Sequence, residues 1–306
     1  MIIGSNAHRD LFCNHFLATF SPYEPATLPW PELSDVELAR LRAVPFWQEV
    51  LHTERRAGAI VKAFALSLAD PLLRQAVDLQ GYEETRHAEL LREMIRRYHI
   101  PVQEPSLEPI ATNIETAFKD FGFGECLDSF LGFGAFRLAR ESAFLPESMF
   151  DIFETLMFEE TRHVVFFINW MAWQGARAGH GWARHLSAVR FYGRAIKRLI
   201  ATVRGGEKQA TEARDFSATQ ASAFLEGFTF GNFIEQCYAE NTRRMSQFDA
   251  DLLRPSFMPR LAGAALLSLR AWHLAAPNYP RSRRGRSTDA AGRSPPEDRK
   301  LFPSDR

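Results

Sequence analysis

The chain has 306 residues, 46% apolar and 24% charged, which is the balance of a globular protein able to bury a sizeable core. Lys+Arg and Asp+Glu are equal at 37, so no net field points to nucleic acid. Three widely spaced cysteines, Cys13, Cys126 and Cys237, exclude a disulfide scaffold and a Cys-x-x-Cys iron centre and suit a reducing compartment.

The first sixteen residues lack the basic-then-apolar order of a secretion signal. No apolar run reaches the length of about 18 residues that spans a bilayer, so the expectation is a cytoplasmic protein with no stable membrane insertion. Ser34, with Glu37 three residues on, forms a capping box for a short helix to about Leu41. Pro45 suits a first turn, and apolar residues then recur at helical spacing up to Asp70-Pro71, where Asp70 caps and Pro71 opens the next helix. That helix ends before Pro101, and residues 101–111 are broken by prolines. A second hairpin repeats the plan. Its first arm, from 121, reads as helix despite four glycines, which would let neighbouring helices approach closely, and Pro146 opens its second arm.

Strand patterns are scarce, so the predicted fold is all-α: a four-helix bundle made of hairpins at about 44–99 and 121–177, with additional C-terminal helices. Those covering helices fall at roughly 182–204, 216–247 and 257–274, within a single domain spanning 1–275. The stretch 182–204 is basic and amphipathic, and a solvated face explains it more simply than a membrane or an acidic carrier. Residues 276–306 are rich in Arg, Pro, Ser and Gly and are expected to be a disordered tail. Phenylalanine is unusually abundant, 26 residues against 6 Tyr and 6 Trp. Ordinary core packing is the first explanation and an apolar substrate tunnel the second.

The chemistry is carried by a repeated pentapeptide. Glu-Glu-Thr-Arg-His occurs at 83–87 and again at 159–163. In each copy the second Glu and the His are three apart, which on a helix separates them by about 60° and about 4.5 Å of rise, so both side chains can converge on one ion. A single Glu-x-x-His arises by chance on solvated helices. Two identical copies, each deep in an apolar helix and each on the second arm of a hairpin, point to a metal site. A duplicated surface hairpin fits poorly, because Leu79, Leu90 and Leu91 flank the first copy and Met157, Phe166 and Phe167 the second. Carboxylate and imidazole without thiolate suit iron, manganese or zinc in a non-structural role.

Glu84, His87, Glu160 and His163 need one further carboxylate from each partner helix. Glu54 lies 30 residues before Glu84 and at a similar height across the Asp70-Pro71 turn. On the third helix the candidates are Glu125 and Asp128, three apart. Glu125 is favoured because its longer side chain can bridge two ions, Asp128 remains the alternative, and Glu235 on a later helix is an outside candidate. Glu141 lies too near the turn. Arg86 and Arg162 point about 100° away from the histidines they precede, toward either solvent or carboxylates such as Glu83 and Glu159. Tyr82 and Cys126 are read as packing residues, although Tyr82 could also carry electrons, and the other histidines lack ligand spacing.

Taken together, Glu54, Glu84-x-x-His87, an inner carboxylate on the third helix and Glu160-x-x-His163 resemble the ligand set of the ferritin-like di-iron carboxylate superfamily. The Glu-Glu-x-Arg-His form is also similar to the iron motifs of soluble acyl-carrier-protein desaturases, where the second Glu is the ligand. The resemblance covers roughly residues 44–177 and does not extend to a substrate. It implies two iron ions, with manganese possible at one or both sites, and an oxygenase or oxidase that activates dioxygen on a small or medium, largely apolar organic substrate. An external electron donor, a reductase or ferredoxin, is implied too, and a monomer or homodimer is expected. The alternatives are a ferritin-like iron-handling ferroxidase and a manganese or iron peroxide-handling enzyme. The residues that touch a substrate are not assigned.

Overall fold

The computed structural model describes residues 1–179, 189–197 and 229–275, and among them every regular element is helical. In chain order these are α1 (Asn6–Ala18), a short 3-10 helix (Pro25–Thr27), α2 (Asp35–Ala43), α3 (Trp47–Ser67), α4 (Pro71–Arg97), α5 (Ile114–Glu141), α6 (Glu147–Arg177), a helical stretch at 189–197, α7 (Phe230–Met245) and α8 (Phe257–Ala275). No helix among the described residues is long and apolar enough to cross a membrane.

The helix boundaries follow local chemistry. Ser34 and Glu37 close their capping box on α2. Pro45 lies just outside α3, which begins two residues later at Trp47. Asp70 accepts hydrogen bonds from the backbone N–H groups of Leu72 (3.0 Å) and Leu73 (3.1 Å), and Pro71 takes the first helical position of α4, where its missing N–H costs nothing. Helix α5 starts at Ile114, seven residues before the expected 121, because Asn113 caps it by accepting from the Thr116 N–H at 2.9 Å. Pro146 is the N-cap residue of α6 rather than its first turn. An element not anticipated is α1, capped by Ser5 and burying His8, Phe12, Cys13 and Phe16.

Helix α3 pairs with α4 and α5 with α6 through short turns. Because α3 also packs on α5 and α4 on α6, the two hairpins close into a four-helix bundle. Helix α1 lies across α4 and α6, and α7 packs on α5. These helices belong to a compact unit, Met1–Leu267. The remaining residues, Ser268–Arg306, form a second unit whose described part is the end of α8. The expected helices at 182–204 and 216–247 are described only over 189–197 and from 229 onward, and the expected tail at 276–306 lies outside the described residues.

The core is layered. One apolar cluster joins Phe64, Phe118, Phe130, Phe166, Phe167 and Trp170, with Phe64 stacked on Phe118 at 4.2 Å between ring centroids. A second cluster, around Leu41, Leu51, Leu91, Met94, Tyr98 and Met149, fills the other end of the bundle. Each fully buried side chain of this size contributes roughly 1.5–3 kcal/mol. The repeated motifs lie between the two layers.

Two of the glycines in α5 do allow close approach. A Cβ on Gly122 would strike the Phe167 ring, and one on Gly134 would lie 2.8 Å from the Cys237 backbone of α7. Gly132 meets nothing within 4 Å. Gly134→Val should therefore destabilise the protein by about 1–3 kcal/mol by forcing α7 off α5. Gly132→Ala should stabilise it by about 0.5–1 kcal/mol through helix propensity. Chemical denaturation of the two variants measures the contrast, and equal effects would contradict this packing.

Candidate metal centre

The four bundle helices bring the six predicted residues into two overlapping groups. Glu54, Glu84, His87 and Glu160 form one, and Glu84, Glu125 and His163 the other; within each, candidate ligand atoms lie within 4.8 Å of one another. His87 Nδ1 is 3.0 Å from Glu160 Oε1, 3.5 Å from Glu54 Oε2 and 3.8 Å from Glu84 Oε2. His163 Nδ1 is 3.0 Å from Glu84 Oε1 and 3.8 Å from Glu160 Oε2. Glu84 and Glu160 thus turn one oxygen toward each imidazole, while Glu54 and Glu125 stand at opposite sides. The two imidazole rings are 5.6 Å apart.

The third-helix alternatives separate here. Glu125 joins the cluster, whereas Asp128 is exposed and lines the neighbouring cavity, and Glu235 is on the exposed side of α7. Helical geometry gives the reason. Three residues along α5 turn a side chain by about 60°, enough to take a short aspartate out of the bundle axis.

The orientation of the imidazoles depends on a crossed arrangement of the two motifs. The first Glu of each copy serves the Arg and the His of the other copy. Glu159 accepts from Arg86 Nη2 and from His87 Nε2 (2.8 Å). Glu83 accepts from Arg162 Nη1 (2.6 Å) and His163 Nε2 (2.9 Å). A carboxylate paired with a guanidinium can only accept, so the Nε2 atoms carry protons and the Nδ1 atoms face the cluster, where a cation would replace a proton. All four charged partners are buried. Arg86 is caged by the rings of Tyr23 (3.9 Å), Phe20 (5.2 Å) and Tyr82 (5.3 Å). Arg162 lies over Phe16 and donates to Thr19 Oγ1 (2.9 Å) and to the Phe16 carbonyl. The surface reading of the two arginines is therefore overturned: their partners are the opposite motif and the segment around α1. Tyr82 is 45% exposed and belongs to the Arg86 cage rather than to the cluster.

Gln80 also belongs to the site and was not anticipated. One turn before Glu84 on the same face, it donates from Nε2 to Glu84 Oε1 at 3.2 Å. Its spacing of four residues from Glu84 was the available signal.

The cluster fits a cation. Glu84 Oε2, His87 Nδ1, Glu125 Oε2, both Glu160 oxygens and His163 Nδ1 are buried without a hydrogen bond among the described residues. Such atoms cost free energy unless something satisfies them. Bonds of about 2.0–2.2 Å to a shared cation place donor atoms about 3–4 Å apart, which is the spacing found. Buried Glu and His groups here could hold a metal ion. Four carboxylates also match the charge of two divalent cations, because the Glu83–Arg162 and Glu159–Arg86 pairs cancel.

Without a cation, protons hold the balance. Burial alone would lower His87, but Glu159, Glu160 and Glu54 hold its pKa well above the ordinary value, and Glu84, Glu160 and Glu83 do the same for His163. Burial pushes Glu54 up to about 7, and burial with repulsion from Glu160 and Glu84 raises Glu125 well above the carboxylate range. Burial also acts to raise Glu160, but its contacts with His163 and His87 outweigh that and hold it well below the usual range.

Comparisons with family models, with curated proteins and with solved structures return no match to this chain.

Two outcomes follow from the geometry. Groups with raised pKa stabilise the metal-free fold at low pH, and that contribution is lost as pH rises through their folded values, while a cation must displace the same protons. The difference in Tm between metal-loaded and metal-free protein should accordingly widen from about pH 5.5 to about pH 8. A constant difference in calorimetric scans would show that these groups are not displaced. Glu159→Gln should weaken metal binding by about 10–100-fold, because it removes the anchor of His87. A competitive chelator titration measures that change.

Proposed function

We propose that this protein is a non-haem di-iron oxygenase or oxidase of the ferritin-like di-iron carboxylate kind, acting on an organic substrate. The reading is carried by one juxtaposition: Glu125 and Glu160, whose buried carboxylate oxygens lack hydrogen bonds among the described residues, line a cavity of about 500 Å³ whose walls are mainly apolar, and both belong to the cluster that contains His87 and His163. Glu54, Glu125 and Glu160 are at once members of the cluster and lining residues of that cavity. A cavity of this size and polarity is typical of a small-molecule site.

Glu54, Glu84, His87, Glu125, Glu160 and His163 would hold the pair of metal ions. Bound there as ferrous ions, they would supply the electrons that dioxygen needs for oxidation of a substrate. The protein's part is positional. Glu84 and Glu160 turn one oxygen toward each imidazole, so both carboxylates would help to hold the ions. Glu83 and Glu159 keep the Nε2 protons and hold the rings in register. The phenylalanine layer closes the site on one side, and Leu91, Met94 and Met149 on the other make the cavity wall apolar. Each turnover would draw electrons from an external donor, a reductase or ferredoxin, in the cytoplasm.

Ferritin-type iron handling and peroxide decomposition use the same residue types. The apolar cavity favours the organic-substrate reading over both, since iron and peroxide are small and polar and have no use for a wall of Leu, Met and Phe.

Anaerobic reconstitution with Fe(II) should give about two iron ions per chain, followed by oxygen uptake when air is admitted. His87→Ala and His163→Ala should each reduce the iron content and abolish the uptake. A wild-type protein that binds no iron, or that takes up oxygen only to lay down ferric mineral in a closed shell, would rule the proposal out.

A further inference from the structure

Acidic and basic residues are equal in number in this chain but not evenly distributed. Two stretches, 161–206 and 252–288, contain no Asp or Glu and carry fifteen of the 37 Lys and Arg residues. The fold brings described parts of both together. Tyr192, in the helical stretch 189–197, stacks on Phe257 at the start of α8 with 4.2 Å between ring centroids. The stretch is held against α5, where Phe191 stacks on Phe123 at 5.2 Å, and Met258 and Ala262 are the buried side of α8.

The outer faces of these two elements are both apolar and cationic. Helical periodicity places Phe257, Arg260, Leu261 and Leu267 within about 120° of one another around α8. Leu261 is 47% exposed and Leu267 68%. Val189 is 60% exposed, on the face of its own element that also carries the exposed Arg190 and Lys197. Tyr238 of α7, beside Gly263 of α8, is 42% exposed. Single exposed apolar residues are ordinary, but several on touching elements mark an interaction site. Among the described residues no carboxylate pairs with Arg190, Lys197 or Arg260. Arg194 and Arg254 differ: Asp120 holds the first at 2.8 Å, and the second donates to the backbone carbonyls of Met245 and Phe248.

We propose that this face docks on an anionic lipid bilayer, with Val189, Leu261 and Leu267 entering the headgroup region and Arg190, Lys197 and Arg260 meeting the negative headgroups. Charge complementarity sets the sign of the partner, and the apolar side chains set its class. A helix lying along a bilayer buries its apolar face shallowly while neighbouring Arg and Lys side chains reach the headgroups. Arg281, Arg283, Arg284 and Arg286, which follow α8 in the sequence, supply the further attraction that a surface contact requires. The contact is peripheral, because no helix among the described residues is long and apolar enough to cross a membrane. Taken alone, the basic stretch 182–204 is explained by a solvated face. Its contact with a second acid-free element that exposes leucines is what changes that reading, and the metal centre plays no part in it.

The experiment is co-sedimentation of the full-length protein with phosphatidylcholine vesicles, with and without about one third phosphatidylserine, at about 0.1 M salt. The anionic vesicles should bind the protein, and phosphatidylcholine alone should bind it about tenfold or more weakly. Raising the salt to about 0.5 M should weaken the anionic binding by a similar factor. Arg260→Gln should weaken it about fivefold, and the double variant Leu261→Ser/Leu267→Ser about tenfold. Leu66→Ser, at an exposed apolar position near the end of α3, should leave it within about twofold of wild type. Absence of sedimentation with anionic vesicles, equal binding to phosphatidylcholine alone, or binding untouched by the leucine double variant would overturn the proposal. Binding of soluble polyglutamate as tightly as of anionic vesicles would overturn it too, and would assign the face to an acidic macromolecule instead.

Discussion

Four carboxylates and two imidazoles meet in the dry centre of one helical bundle, and that concentration of charge constrains everything around it. Glu84, His87, Glu160 and His163 are nearly inaccessible to water. Left uncompensated, such groups would cost more than a domain of this size can offset, given that net stability is roughly 5–15 kcal/mol. In the metal-free chain, protons on the two histidines and on Glu125 spread the charge, which is why these groups titrate far from their ordinary values. Two divalent cations would satisfy the same atoms with a charge of the right sign and size. The orphaned donor atoms and the shifted protons are two aspects of one arrangement.

The crossing of the two motifs gives the site its rigidity. Each Glu-Glu-Thr-Arg-His segment contributes a carboxylate to the cluster through its second Glu and restrains the other segment through its first. A change in one copy is therefore felt by the imidazole of the other. The two halves are not equivalent outside this core. Arg162 is sealed by Phe16 and Thr19, whereas Arg86 is ringed by aromatic side chains that include the partly exposed Tyr82. Helix α1 thus completes one side of the site without contributing a candidate ligand.

The abundance of phenylalanine serves two ends. Phe64, Phe118, Phe166 and Phe167 fill the layer on one side of the cluster, and Phe133, Phe150 and Phe153 form walls of the cavity that opens from it. Core packing and apolar tunnel were rival explanations of composition, and the bundle accommodates both. Bulky rings close the interior on one side, and on the other a cavity lined by residues of α3, α4, α5 and α6 opens beside Glu54, Glu125 and Glu160.

Much of this was legible in the residues. The all-α fold, both hairpins, the Asp70-Pro71 turn and the Glu84–His87 and Glu160–His163 pairs follow from apolar spacing, turn chemistry and the period of a helix, all local properties. Helix α1 escaped notice although Phe12 and Phe16 are four apart and Ser5 caps the segment, because a helix of 13 residues spans fewer than four turns and carries little periodic signal. Gln80 escaped notice for a similar reason: a lone polar residue one turn from a candidate ligand looks like any solvated position. What the sequence could not determine was which chain segments meet across the bundle. That Glu83 holds His163 rather than a neighbour in its own motif, that Glu125 and not Asp128 turns inward, and that a cavity opens beside the cluster all depend on the relative rotation and separation of packed helices. Those quantities arise from long-range packing of side chains far apart in the chain, and no local pattern encodes them.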